Sequence, residues 1–274
     1  MTIANLLSLL EDTVSGRDSH EDQMASLARE AKKAWKRAEK RISRARERGQ
    51  EELGTLGKIR IAVMAVHMKA FLDEFTKMHH VEIGDCRGLV PLSDPPMDLK
   101  YLKDLVGIYE QANSGLLAGY NASEDSAFRF GSGTLSRYGK TPEFHFDEKT
   151  FTGSRDALQQ ADTEIREYGA KVTEICAHLQ DIRRIAREAE DALLDLSDVL
   201  DDCTEDIREI RNAHGDDWKN YTKADKLFIA RAVQVAGLIQ NLADFHILTE
   251  DARLKDSVRE ALEAAHEAIR DMGA

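Results

Sequence analysis

The residues best suited to metal chemistry follow the first predicted long helix, in the sequence HHVEIGDC. His79, His80, Asp85 and Cys86 carry side chains that bind transition metals. Structural zinc sites usually hold two ligands a few residues apart on one rigid element, as in Cys-x-x-Cys or His-x-x-x-His. Neither spacing occurs in this chain. The sequence therefore favours a helix end followed by a polar loop, and it predicts no metal site.

A second chemical candidate is the stretch GTLSRYGKT, which ends in Gly-Lys-Thr. A phosphate-binding loop requires an earlier glycine at a fixed distance and a helix directly afterwards. Here Gly133 lies one residue too far from the Gly-Lys-Thr, and Pro142 stands where the helix would begin. The chain also has no Gly-x-Ser-x-Gly elbow. We therefore predict that the protein is not an enzyme and takes no cofactor.

Clustered carboxylates late in the chain could imitate a metal site. They are Asp201, Asp202, Glu205, Asp206 and Glu209. A solvated acidic face on a long helix explains this cluster more simply, because charge runs usually face water.

Composition narrows the class of protein. The 274-residue chain has a formal net charge of −12, with 32% charged and 6% aromatic residues. A strong net negative charge argues against a general nucleic-acid binder, because phosphate contacts need positive surface. The start of the sequence lacks the features of a signal peptide, and the three cysteines are scattered. We expect a protein with free thiols that is located in the cytoplasm, either in solution or at the periphery of a membrane.

An apolar seam with alternating spacings of three and four residues predicts a helix from about Ser154 to about Arg211. Such a strict heptad pattern keeps one stripe of a long helix facing a partner. The seam residues are Leu158, Ala161, Ile165, Tyr168, Val172, Ile175, Leu179, Ile182, Ala186, Ala189, Leu193, Leu196, Leu200, Cys203, Ile207 and Ile210.

A matching helix is predicted from about Ser19 to His79. Its seam weakens at Gly49 and Glu52, which predicts a kink or looser packing there. The seam residues are Ala28, Ala31, Trp35, Ala38, Ile42, Ala45, Leu56, Ile59, Val63, Val66 and Ala70. Neither helix can expose its apolar stripe to water, so the two helices should pack on each other.

Charge suggests the direction of that packing. Residues 29–48 contain ten basic and three acidic side chains, whereas residues 188–209 contain ten acidic and one basic. Antiparallel helices whose paired residue numbers sum to about 236 would bring these zones together and set His79 beside Ala157. The alternative interpretation of the basic zone is a patch that binds lipid or nucleic acid.

The remaining elements complete an all-α prediction. Helices are expected at about Leu99–Leu117, Lys223–Phe245 and Glu250–Asp271, and residues 80–98 form a turn-rich connector. We predict a single elongated helical domain, residues 1–274. It is an antiparallel coiled-coil rod with a helical-bundle base, on which residues 216–274 pack, and a loop or β-ribbon tip insert at residues 119–153.

The insert holds most of the chain's phenylalanines. Phe128-Arg-Phe130 and Phe144-His-Phe146 each place two rings on one face of a predicted strand, and Phe151 follows. A short ribbon is marginally stable alone, so its aromatic face must cover something. Two interpretations stay open: the rings pack onto the helix Leu99–Leu117, or they form an adhesive face for a membrane or a protein partner.

Two segments resemble an uncharacterised family of bacterial helical proteins that are sometimes labelled chemotaxis proteins. They are LGTLGKIRIAVMAVHMKAFLDEFTKMHHVEI, which ends at Ile83, and NYTKADKLFIARAVQVAGLIQNLADFHILTED, Asn220 to Asp251. Members of that family carry a glycine-rich hydrophobic segment between two long helices. In this chain the segment is absent after SGLLAG (Ser114 to Gly119), which fits a divergent member or a chain whose membrane segment was replaced. The outline also resembles α-helical pore-forming toxins.

These resemblances imply a non-enzymatic bacterial long-helix protein that acts at a membrane through its tip, in the manner of pore-forming or membrane-remodelling proteins. The expected partners are lipid or a protein at the tip, and further copies of the chain through the rod. The alternative is a soluble coiled-coil scaffold or adaptor. A hydrolase would require titratable groups clustered in a pocket, which the sequence does not indicate.

Overall fold

The described part of the chain is helical. The computed structural model describes residues 17–82, 99–117, 155–244 and 246–272, together with five single residues: Phe130, Leu135, Tyr138, Lys140 and Pro142. Of the residues that can be interpreted, 86% are helical, and none of them forms a strand. Their only β-type pairings are two isolated bridges, His79 with Asp217 and Leu248 with Leu254. The all-α prediction is confirmed for these residues, and the ribbon predicted for the insert lies mostly outside them.

The first long helix is continuous but not uniform. It consists of α1 (Arg17–Ala62), a π-helical segment (Val63–Met68) and α2 (Lys69–Phe75), and the junction residues keep right-handed helical dihedrals. α1 remains α-helical through Gly49 and Glu52, where the sequence predicts a kink or looser packing. The irregularity lies instead in the π-helical segment, whose side chains are largely buried. Such segments often mark sites where helix packing or function forces a local bulge.

The second long predicted helix is observed almost as expected. The helix α4 (Arg155–His214) begins one residue after the predicted start and ends three residues beyond the predicted end. The central part of its apolar seam is buried, which confirms the heptad pattern. Its buried members are Tyr168, Val172, Leu179, Ile182, Ala186, Ala189, Leu193, Leu196, Leu200, Cys203 and Ile207.

The two long helices run parallel, so the predicted antiparallel pairing is wrong. Side-chain contacts between them join residues whose numbers rise together. The Arg183 Nε atom donates to Glu52 Oε2 at 2.9 Å, and the next contact along both helices is His67 Nδ1 to Asp201 Oδ2 at 2.8 Å. Further on, Arg211 Nη1 donates to Glu74 Oε2 at 2.6 Å. The separation between partners stays between 131 and 137 residues, which only a parallel arrangement produces.

The end of the first long helix confirms the parallel direction. The His79 backbone N–H donates to the Asp216 carbonyl at 2.7 Å, and the Trp218 N–H donates to the His79 carbonyl at 3.1 Å. His79 therefore lies just beyond the end of α4, and the predicted neighbour Ala157 is at the start of α4.

The helices pair in parallel although the charged zones predicted an antiparallel pair. The charged side chains of both zones, residues 29–48 and 188–209, are largely exposed. An exposed ion pair contributes little stability, since water screens it and the side chains lose freedom. The pairs observed at the helix interface are better shielded: the side chains of Glu52 and Glu74 are 16% and 11% exposed. The Glu74 carboxylate accepts hydrogen bonds from Arg211 (2.6 Å), Lys77 (2.9 Å) and Arg208 (3.4 Å). Shielded pairs of this kind discriminate between registers more strongly than solvated charge runs.

The structure describes three further helices. They are α3 (Leu99–Leu117), α5 (Lys223–Asp244) and α6 (Asp256–Met272). The bounds of α3 and α5 agree with prediction within one residue, but α6 begins six residues later than predicted. A tight turn explains the delay: Ala252 has a φ of 56° and its N–H donates to the Thr249 carbonyl at 2.9 Å.

The chain divides into two compact units. One consists of Met1–Glu47 and Gly139–Gln180, and the other of Arg48–Tyr138 and Asp181–Ala274. In the second unit, α3 and α5 both pack on the π-helical segment. The C-terminal helices and α3 therefore share one unit, whereas we predicted that a base and a tip would keep them apart. The prediction of a single elongated domain stays a prediction.

The first unit has its own apolar cluster. Ala38 and Ile42 of α1 pack with Tyr168, Val172 and Cys176 of α4. Trp35, Ala45 and Ile175 are partly buried against this cluster. The members of this cluster lie on the predicted seams except Cys176, which is buried in place of its partly buried neighbour Ile175.

We expect Cys203 to resist alkylation in the folded protein. Its side chain is buried on the seam, and burial, followed by the nearby Asp206 and Asp202, raises the pKa of its thiol to about 11. The thiolate is the reactive form, so both access and ionisation are suppressed. Mass spectrometry after iodoacetamide treatment measures this. Modification of native Cys203 as fast as in denaturant would contradict its placement, and buried Cys176 serves as an internal comparison.

Candidate interaction site at the insert

Of the five phenylalanines predicted to form the interaction face of the insert, the structure describes Phe130. Phe128, Phe144, Phe146 and Phe151 lie outside the described residues. Phe130 has helical backbone, so the strand predicted for this residue is wrong. The role of these rings in binding a partner stays a prediction.

Phe130 packs against α3. Its ring centroid lies 4.8 Å from that of Tyr109, and the two rings are tilted by 42°. Tilted aromatic pairs at this distance are favourable beyond the apolar area that they bury. Phe130 stays partly accessible. This is the packing that one of the two interpretations of the insert expects.

A buried arginine holds the backbone of the same residue. Arg60, on α1, is 1% exposed, and its Nη1 donates to the Phe130 carbonyl at 2.7 Å. Burial lowers the pKa of Arg60 to about 10, against the favourable influence of Tyr109 and Asp244. The guanidinium remains charged at neutral pH. A charged donor makes a stronger hydrogen bond than a neutral one, so this contact is the firmest one described between the insert and the helices.

Two tyrosines of α3, one of which packs against Phe130, are held by hydrogen bonds to α5. The Tyr109 hydroxyl donates to the Ala243 carbonyl at 2.8 Å, and the Tyr101 hydroxyl donates to the Asp244 carboxylate. Burial raises the pKa of Tyr109 to about 12. The hydrogen bond to Asp244 raises the pKa of Tyr101. Both phenols therefore stay protonated and tie α3 to the end of α5.

Two more residues of the insert segment are sheltered. Leu135 is fully buried, and Tyr138, whose N–H donates to the Leu135 carbonyl at 3.0 Å, is partly buried. Sequence analysis emphasised the phenylalanines and missed Leu135 and Arg60. Arg60 does leave a signal, since it is the single charge within the apolar run IRIAVMAV.

The described surface offers little enclosed space. One shallow hollow is lined by Gln159, Gln160, Thr163, Glu164 and Glu167, and a second by Asp195, Glu263, His266, Ile269 and Arg270. Within the described residues, no group of three or more His, Cys, Asp or Glu side chains is arranged to hold a metal ion. His79 and His80 instead approach Asp216 and Asp217, while Asp85 and Cys86 lie outside the described part.

Among the described helices, none is both long enough and apolar enough to cross a bilayer. Comparison with known proteins found no matching family model, no matching curated protein and no matching solved structure.

Proposed function

We propose that this is a non-enzymatic bacterial long-helix protein that acts at a membrane through its insert, as pore-forming or membrane-remodelling proteins do. In the free protein the insert is docked on the helices, and it is released to engage lipid. The long helices supply reach and a surface for self-assembly with further copies.

The observation that supports this proposal is the docking of Phe130. The Arg60 hydrogen bond and the Tyr109 ring hold this residue to the helices, and the residue stays partly accessible. A segment that must later insert into lipid has to hide its aromatic side chains in water and yet detach at modest cost. A residue that is packed on one helix and still partly accessible fits both requirements.

The alternative is a soluble coiled-coil scaffold whose insert is a permanent cap. One observation favours it: Phe130 is already packed on α3, so no partner is needed to cover that side of its ring. A scaffold would be indifferent to lipid, which makes the two proposals separable.

The test is vesicle co-sedimentation of the full chain at high salt, which suppresses purely electrostatic attachment. The test variant replaces Phe128, Phe130, Phe144 and Phe146 with serine. The control variant replaces four exposed apolar residues of the helices with serine: Val66, Leu99, Ile108 and Leu194. Both variants exchange four apolar side chains for serine.

We expect the wild-type chain and the control to sediment with vesicles and the four-phenylalanine variant to remain in solution. No sedimentation of the wild-type chain under any lipid composition would contradict membrane action and favour the scaffold. Equal losses in both variants would show that apolar surface in general, rather than the insert, drives attachment.

A further inference from the structure

A stripe of basic side chains covers the outer face of α1 in the first unit. All seven members are exposed: Lys32, Lys33, Lys36, Arg37, Lys40, Arg41 and Arg44. With 3.6 residues per turn, they project from the side of α1 opposite to Ala31, Ala38 and Ile42, which are buried. We call this set the basic stripe. It extends for about 18 Å along the helix.

The parallel arrangement of the long helices removes the partner that the sequence suggested for these charges. The acidic zone of α4 lies in the other unit, where Asp201 contacts His67. Within the described residues, no ion pair involves a member of the basic stripe. The seven cations therefore form no ion pair among those residues, and they outnumber the two exposed carboxylates on the same side of α1, Glu30 and Glu47.

We propose that the basic stripe binds the surface of an anionic membrane through lipid phosphate and carboxylate headgroups. Clusters of four to eight basic residues on one helix face attract anionic lipids, each residue contributing a similar increment. A broad band of charges on the solvent side of a paired helix can lie against a flat surface. The stripe and the insert share no residue, and the proposal for the stripe does not depend on the insert's role.

Two features favour lipid over nucleic acid. Proteins that hold single strands stack bases on aromatic side chains beside the basic groups. The aromatic residue within residues 29–48 is Trp35, and it packs into the apolar cluster on the opposite side of α1. The major groove of DNA admits a single α-helix, whereas α1 packs side by side with α4 in this unit.

The test measures binding of the full chain to phosphatidylcholine vesicles with and without phosphatidylserine, at low and high salt. The stripe variant carries Lys32→Gln, Lys33→Gln, Lys36→Gln and Lys40→Gln. A matched control carries Lys58→Gln, Lys103→Gln, Lys171→Gln and Lys219→Gln, at exposed sites outside the stripe. Both lower the net charge by four, and circular dichroism checks that both keep their helices.

We expect phosphatidylserine to strengthen low-salt binding, and the stripe variant to lose at least about tenfold of that binding while the control keeps most of it. Equal binding by both variants would overturn the proposal. Retention on duplex DNA without any response to phosphatidylserine would overturn it too and assign the stripe to nucleic acid. Absence of vesicle binding by the wild-type chain at high salt would contradict the function proposed for the insert. It would not contradict the proposal for the basic stripe, whose binding is measured at low salt.

Discussion

Replacing Arg60 with methionine is expected to free the insert while leaving the helical body folded. The Phe130 carbonyl loses its charged donor, and hydrogen bonds to charged groups contribute about 1.5–3 kcal/mol. The long helices lose little, because methionine fills similar space and Asp244 is exposed to water. Local opening of the insert should therefore become roughly 10- to 100-fold more frequent.

Limited trypsin digestion measures this opening, because the insert carries Arg129, Arg137, Lys140 and Lys149. When opening is fast relative to cleavage, the cleavage rate follows the population of the open form. The control is Arg44→Met, an exposed arginine on the same helix. Unchanged cleavage of the insert in Arg60→Met, at unchanged helicity, would show that the Arg60 contact does not hold the insert in place.

The second large effect, a loss of unfolding free energy, is expected from Glu74→Ala. The Glu74 carboxylate is buried and accepts hydrogen bonds from Arg211, Lys77 and Arg208. Without it, Arg211 is left shielded, with Asp216 as its remaining described acceptor. Removing one partner of such a network costs about 2–4 kcal/mol of unfolding free energy. Glu110→Ala, at an exposed pair with Lys69, should cost less than about 1 kcal/mol.

Chemical denaturation of both variants provides the comparison, and a pH series adds a second signature. Burial by itself would raise the pKa of Glu74, but hydrogen bonds from Lys77 and Arg208 outweigh it and lower the pKa below 4.5. The stability from Glu74 is therefore present above the unfolded-state pKa and is lost as pH falls through the folded-state value. Glu74→Ala should flatten this acid-side loss. A variant as stable as Glu110→Ala would contradict the role of this network.

Sequence pattern predicted the helices well because their signal is local. The heptad seam of α4 and the bounds of α3 follow from the spacing of apolar residues along one segment. The start of α6 was misplaced because the turn at Ala252 depends on a positive φ that alanine rarely adopts. Such a conformation is set by the surrounding contacts, which the local pattern does not contain.

The direction of helix pairing could not be obtained in the same way. Both a parallel and an antiparallel arrangement bury the two seams, so apolar spacing does not distinguish them. The long charged zones favoured the antiparallel arrangement, yet Glu52 and Glu74, two single carboxylates near the seam, pair with arginines in the parallel one. A few shielded ion pairs outweigh many solvated charges, and their partners are recognisable only once the helices are placed together.

The contacts of the insert likewise involve residues that are distant in the sequence. Its aromatic content is visible in the sequence, and the packing of Phe130 on α3 agrees with one of the two interpretations. The contact that fixes it comes from Arg60, seventy residues earlier in the chain. A buried arginine in an apolar run indicates that a partner exists, but the run does not reveal which backbone carbonyl it binds.

Cross-linking to lipid tests membrane action through the insert most directly. The full chain is mixed with vesicles that contain a phospholipid with a photoactivatable group on its acyl chain, and the labelled peptides are identified by mass spectrometry. We predict that labelling concentrates in peptides from residues 118–154 and increases in Arg60→Met. Labelling confined to the long helices, or none under conditions in which the protein sediments with the vesicles, would contradict membrane action through the insert.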